Sequence, residues 1–102
     1  MEKYYNKGED IMFLHIGDNI SIFKKEIVAI LDKRTVEESV DTKAYIEKLI
    51  KNDCLKNPSD KDINTYIITC TKNIDRKNTF EYSLYTSSIS SNALSKRKIL
   101  DI

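Results

Sequence analysis

Glycine and proline are scarce in this chain, with two glycines and one proline among 102 residues. This scarcity excludes a flexible glycine- or proline-rich linker and leaves little room for tight loops. A chain of this length forms one small domain at most. Gly17 is the only glycine in the predicted domain, so we do not expect a backbone cradle for phosphate, and no GxGxxG, P-loop or HExxH motif is present.

Histidine and cysteine are also rare. The single histidine is His15, and the two cysteines, Cys54 and Cys70, do not form a CxxC motif, so a zinc site is nearly excluded. His15 alternates with core positions of a predicted strand and has no serine or cysteine partner by motif, so we interpret it as structural. The cysteines are expected to be a loop thiol and a small core residue. No buried carboxylate pair is indicated, and the sequence predicts neither an enzyme nor a cofactor nor a small-molecule substrate.

Long apolar runs are absent as well. No segment reaches the roughly 18 apolar residues that a membrane span needs. Residues 1–11 contain no apolar stretch of the kind found in signal peptides. We therefore expect a cytoplasmic protein that does not associate with membranes and keeps its thiols reduced, although a single disulfide stays open as an alternative.

The charges nearly cancel, because 17 bases face 16 acids and the formal net charge is +1. The chain as a whole therefore exerts no strong attraction on nucleic acid or membrane. The distribution is uneven, since residues 61–102 hold seven bases and four acids, a surplus of three positive charges. Any basic surface is expected to use the later part of the chain.

The sequence pattern predicts five strands, at residues 12–16, 20–23, 26–32, 65–71 and 79–86. A turn signal at 17–19 joins the first two strands into a hairpin. The third is apolar on both faces, which predicts a central strand covered on two sides. The last two, linked by a polar turn at 72–78, are expected to form an antiparallel hairpin with Phe80, Tyr82 and Leu84 facing inward.

One long helix is predicted between the third and fourth strands, over residues 35–52. Thr35 and Glu38 have the spacing of a capping box, which would start the helix at Thr35. Apolar residues then recur at three- and four-residue steps and predict one buried stripe, formed by Val36, Val40, Tyr45, Ile46, Leu49 and Ile50. Residues 52–64 are expected to form a long loop of the kind that often has a function.

A second, short helix is expected near the end of the chain, with Ser90 or Ser91 as its N-cap and Arg97 in its last turn. The element order β-β-β-α-β-β-α indicates an α+β fold. We expect a small, mostly antiparallel sheet of about five strands with one long helix and one short C-terminal helix. Residues 12–98 would form the domain, 1–11 an N-terminal extension and 99–102 a tail.

Three segments together resemble one bacterial family. They are "MFLHIGDNISIFKKEIVAILD", "TVEESVDTK" and "YTSSISSNALSKR", and they span most of residues 12–98 in order. They resemble the extracellular matrix regulators, the RemA and RemB family, and are more similar to the RemB-like branch. The resemblance implies a DNA-binding regulator of biofilm-matrix genes without enzymatic activity or cofactor. It also implies a ring-shaped homo-oligomer that presents basic residues to duplex DNA.

The family pattern matches basic residues of this chain at two places. An arginine that follows the second strand of the family corresponds to Lys25, with Lys24 beside it. Lysine keeps the charge but cannot make the planar bidentate contact of arginine. The terminal "KR" of the family corresponds to Lys96 and Arg97. These positions would contact DNA phosphates if the resemblance extends to function.

The chain departs from the family at a double arginine that precedes the fourth strand. Lys61 lies at the matching position between Asp60 and Asp62, and acids there would repel phosphate. An oligomeric scaffold or protein-interaction module that does not bind DNA is therefore the alternative function. Under the DNA hypothesis the candidate contact residues are Lys24, Lys25, Lys61, Arg76, Lys77, Lys96 and Arg97.

Overall fold

A computed structural model describes residues 12–59, 61–73 and 79–99 of the chain. The strands in these ranges are β1 (Phe13–His15), β2 (Ser21–Phe23), β3 (Ile27–Asp32), β4 (Thr65–Asn73) and β5 (Thr79–Ser87). The helices are α1 (Lys33–Glu38), α2 (Val40–Lys51) and α3 (Ser91–Ile99), and a 3₁₀ turn (Lys24–Glu26) joins β2 to β3. The α+β prediction is confirmed. The predicted extension at 1–11 lies outside the described residues.

The five strands form two antiparallel units rather than one sheet. β1 and β2 pair as a hairpin, while β3, β4 and β5 form a three-stranded sheet in which β4 is central. Both predicted hairpins are confirmed. The prediction of β3 as a central strand is wrong, because β3 lies at a sheet edge. Its run of apolar residues has a different cause. Both faces of this sheet are covered, so a strand at the edge needs apolar side chains on both faces, as a central strand does.

Two hydrophobic clusters lie on opposite faces of the three-stranded sheet. On one face, α1 and α2 contribute to a cluster of Val36, Ile46, Leu49, Ile68 and Leu84. On the other face, the β1–β2 hairpin and α3 contribute to a cluster of Leu14, Ile16, Ile22, Ile67 and Leu94. Adjacent residues of β4 therefore point into different clusters, as strand geometry requires. The domain has three layers, with the hairpin and α3 forming one outer layer together.

The predicted long helix is two helices that meet at Ser39. Ser39 has an extended backbone (φ −111°, ψ 115°), and its Oγ accepts a hydrogen bond from the Thr42 N–H at 3.3 Å, so it caps α2. Asp32 caps α1 in the same way by accepting from the Thr35 N–H at 3.3 Å. The prediction of Thr35 as the first cap is wrong, because a carboxylate three residues earlier satisfies that backbone donor.

The break at Ser39 also divides the predicted apolar stripe. Ile46 and Leu49 are buried, whereas Val40, Tyr45 and Ile50 are 84%, 42% and 43% exposed. A stripe calculated for one continuous helix loses its phase where the helix axis changes direction. The structure therefore leaves three large apolar side chains of α2 in contact with solvent.

The outer half of β5 differs from the prediction in a similar way. Leu84 is fully buried, but Phe80 and Tyr82 on the same face are 58% and 44% exposed. Ile46 and Leu49 of α2 pack with Leu84, and the loop that follows α2 bridges to Leu84 through Leu55. The start of β5 extends beyond these contacts, so its alternating pattern does not correspond to burial there.

The C-terminal helix begins as predicted, because Ser90 Oγ accepts a hydrogen bond from the Ala93 N–H at 3.2 Å and serves as the N-cap. None of the helices in the described ranges has the length and apolar content required to cross a membrane.

Candidate nucleic-acid interface

The β1–β2 hairpin and α3 are held together by apolar packing. Leu94 of α3 is fully buried against Leu14, Ile16 and Ile22 of the hairpin. Ser87 at the end of β5 also links the hairpin to the three-stranded sheet, since its Oγ donates to the Ile16 carbonyl at 2.7 Å. This packing places the end of the hairpin beside the last turn of α3.

Basic residues from these two elements meet at that point. Lys24 Nζ donates a hydrogen bond to the Arg97 carbonyl at 3.3 Å, and the two residues are 73 positions apart in sequence. Arg97 Nη1 in turn donates to the His15 carbonyl at 3.4 Å. With their sequence neighbours Lys25 and Lys96, these residues form what we call the basic cluster: Lys24, Lys25, Lys96 and Arg97.

The position of the basic cluster agrees with the electrostatics of the helix end. The last carbonyl groups of a helix lack intrahelical partners and have partial negative charge. Lys24 satisfies one of these carbonyls from outside the helix, and the last turn of α3 supplies Lys96, Arg97 and Lys98. The cluster is therefore stabilised by the helix end even though its members have the same sign of charge.

Most of the basic cluster is available to a ligand. Lys25, Lys96 and Arg97 are exposed, and Lys24 is half-buried. Ammonium and guanidinium groups at a surface donate to phosphate oxygens, and such contacts supply most of the affinity of proteins for nucleic acid. The arrangement suits an extended polyanion better than a small enclosed ligand.

His15 lies on the outer face of the hairpin, next to this cluster. Its Nδ1 is 2.9 Å from Ser21 Oγ, the side chain directly opposite in the hairpin register. Either tautomer of the ring can use this bond, because a serine hydroxyl both donates and accepts. This serine partner of His15 was not predicted, because the pairing depends on strand register rather than on sequence spacing.

Lys61 is separate from the basic cluster. Its ammonium group forms an ion pair and hydrogen bond with Asp18, in the turn of the β1–β2 hairpin. Lys24 follows β2 at the opposite end of the same hairpin. The charge of Lys61 is thus compensated, and its site differs from the one formed by Lys24 and Arg97.

The two remaining candidates, Arg76 and Lys77, fall outside the described residues. Within the described ranges there is no group of three or more histidine, cysteine, aspartate or glutamate side chains arranged to hold a metal ion. The structure thus joins two of the seven sequence-predicted residues, Lys24 and Arg97, by a hydrogen bond, and Lys25 and Lys96 are their exposed sequence neighbours.

A hydrogen bond between the Tyr82 phenol and the Cys70 side chain raises the pKa of the phenol, because it favours the protonated form, with further contributions from the charge of Cys70, from burial and from Tyr45. Cys70 and Tyr82 are direct cross-strand partners of β4 and β5. This group lies on the α1–α2 face of the sheet, remote from the basic cluster on the other face.

Comparison with known proteins found no matching family model and no curated protein that matches this sequence.

Proposed function

We propose that this chain binds duplex DNA through the basic cluster and acts in the cytoplasm as a transcriptional regulator of extracellular-matrix or biofilm genes. The DNA contact is supported by one observation above all: Lys24 and Arg97, 73 residues apart, are joined by a hydrogen bond. Two basic segments that the resemblance associates with DNA therefore form one surface. The regulatory role follows from the resemblance to the RemA and RemB family.

The physical basis of binding would be neutralisation of phosphates. One copy with a net charge of +1 has little long-range attraction for DNA. A ring-shaped homo-oligomer would repeat the basic cluster along the duplex and would add weak contacts through avidity. Recognition would depend on the DNA backbone and its shape more than on base edges.

A salt-dependent fluorescence anisotropy titration with a labelled duplex tests the proposal. We expect Lys25→Ala with Lys96→Ala to weaken binding and to reduce the slope of log K against log salt by about 1 for each lost phosphate contact. The matched control is Lys43→Ala with Lys51→Ala, which removes the same charge from exposed positions of α2. Equal affinities of the two double variants, or no binding of the natural chain at low salt, would reject the proposal.

The alternative is an oligomeric scaffold or protein-interaction module that does not bind DNA. The observation that favours it is the ion pair between Lys61 and Asp18, which neutralises one predicted DNA-contacting side chain. The solution mass with and without duplex DNA separates the two functions. A mass that increases on addition of DNA supports the regulator, whereas an oligomer whose mass does not change on addition of DNA supports the scaffold.

A further inference from the structure

The outer edge of β5 is covered along one half only. The Leu84 N–H donates to the Cys54 carbonyl at 2.8 Å, and the Leu84 carbonyl accepts from the Lys56 N–H at 2.9 Å. The backbone groups of successive strand residues point to opposite edges. The N–H and C=O groups of Tyr82 and Phe80 therefore point to this same outer edge. In the described part of the chain no segment pairs with them there, and both side chains are largely exposed.

Among the described strands, none pairs with the opposite edge of the sheet, which is formed by β3. Ile68 of β4 is opposite Leu84, so its backbone groups point away from β5 and toward Ala29 of β3. By the same alternation, the backbone groups of Ile30 point away from β4 and out of the sheet. Val28 is the extra residue of a β-bulge between Ile27 and Ala29, and its side chain is 59% exposed.

A shallow groove runs along this β3 edge, with α3 as its other wall. Val28 and Ile30 line the strand side, and Ser95 and Lys98 line the helix side. The exposed Val28 and the half-buried Lys98 thus lie beside outward-pointing backbone groups for which the described residues provide no strand partner. Such an edge is a template for pairing with another strand.

The β5 edge and the β3 edge have opposite charges, and these charges lie on the same face of the sheet. Glu81 of β5 lies on the same sheet face as Tyr85, which packs against the cluster that contains α3. Lys98 of α3 lies on that face at the other edge. Tyr82 of β5 lies on the opposite face, which is also the face of Ala29. The sheet could continue from the β5 edge of one molecule to the β3 edge of another with its faces preserved. Glu81 of the first molecule would then lie close to Lys98 of the second.

We propose that β5 of one copy pairs in parallel with β3 of a second copy, with Glu81 facing Lys98 of the second copy. Tyr82 would exchange backbone hydrogen bonds along the edge that includes Ile30 of the second copy. The contact uses different surfaces on the two partners, so it can repeat from copy to copy. It rests on strand edges and not on the basic cluster, and it goes beyond DNA binding.

A second copy fits the β5 edge better in this arrangement than in a two-fold one. The two-fold antiparallel register that uses only Phe80 and Tyr82 would place Glu81 directly opposite the same glutamate of the other copy. Like charges directly opposite in a sheet are destabilising. A two-fold register centred on Tyr82 would bring Leu84 into the pairing, where its backbone is already bonded to Cys54 and Lys56.

Sedimentation equilibrium of the whole chain over a range of concentrations tests the contact. We expect a mass above the 11.9 kDa of one copy. Glu81→Lys and Lys98→Glu should each weaken association by about tenfold or more, because each places like charges together. The double variant Glu81→Lys with Lys98→Glu should restore association, and Lys43→Glu should leave it unchanged.

Several outcomes would overturn the contact. They are a single-copy mass for the natural chain at every concentration, association that survives both single charge reversals, or a double variant that remains dissociated while its circular dichroism shows the native fold. A separate blocking variant, Tyr82→Pro, removes the outward N–H together with the phenol ring and leaves the β4 hydrogen bonds of β5 in place, so it should also reduce the mass. DNA affinity measured in parallel shows whether the edge contact and the proposed function fail together or separately.

Discussion

Asn57 takes the place of a strand residue beside Thr86. Its Nδ2 donates to the Thr86 carbonyl at 2.8 Å, and its Oδ1 accepts from the Thr86 N–H at 2.9 Å. One side-chain amide therefore satisfies both outward backbone groups of an edge residue that is almost fully buried. Together with the Cys54 and Lys56 backbone, it closes this half of the β5 edge.

Asn57→Ala should destabilise the domain by about 1–3 kcal/mol, because two buried backbone groups of Thr86 would lose their partners. Urea denaturation followed by circular dichroism measures the change. Asn52→Ala, at an exposed position after α2, is the control and should have a small effect. A change for Asn57→Ala no larger than the control would contradict this account of the edge.

Ser39→Ala should lower the free energy of unfolding by about 1 kcal/mol, because the Thr42 N–H at the start of α2 loses its cap. Ser39→Asp keeps an acceptor at the cap position and should retain most of the stability. Thermal unfolding of both variants provides the comparison. If the alanine variant were as stable as the natural chain, the boundary between α1 and α2 would not depend on this side chain.

Leu94→Ala should lower stability by about 2–5 kcal/mol, since Leu94 is fully buried between α3 and the hairpin. The same change loosens the packing that holds Lys24 beside Arg97, so DNA affinity should fall as well. Anisotropy titrations at a temperature where the variant remains folded separate the two effects. Asn92→Ala on the exposed side of α3 is the control for both measurements.

The phenol of Tyr82 should titrate above the ordinary tyrosine value of 10.0, because its hydrogen bond to the Cys70 side chain favours the protonated form and raises its pKa. Tyr82 then ionises more readily in the unfolded chain than in the folded one. Its contribution to stability is fully present below that ordinary value and is lost as the pH rises through the folded value.

Tyrosine ring carbon shifts measured by NMR against pH test this prediction. Cys70→Ala should move the pKa of Tyr82 downward, while Cys54→Ala should leave it in place. An unchanged Tyr82 titration in the Cys70 variant would show that the cross-strand hydrogen bond does not cause the shift.

Local patterns predicted much of the fold correctly. Alternation and turn residues gave both hairpins, and Ser90 marked the start of α3. The division of the long helix was not predicted, because a serine within a helical pattern can either remain in the helix or act as a cap. The choice at Ser39 depends on how α1 and α2 pack on the sheet.

The candidate site was predictable in composition but not in arrangement. The sequence identified Lys24, Lys25, Lys96 and Arg97 as separate basic pairs. It had no signal that Lys24 and Arg97 would touch, because their contact depends on burial of Leu94 against the hairpin. The pairing of Lys61 with Asp18 was equally hidden, since it depends on where the long loop crosses the hairpin turn.

The bulge in β3 makes Val28 unusual with respect to insertions and deletions. The residues on either side, Ile27 and Ala29, face consecutive residues of β4, Thr69 and Ile68. Deleting Val28 would therefore leave every other residue of β3 on its present face, whereas deleting any residue that follows would reverse the faces of its neighbours. Length variation in this strand is consequently confined to one position, at the edge where the sheet is open.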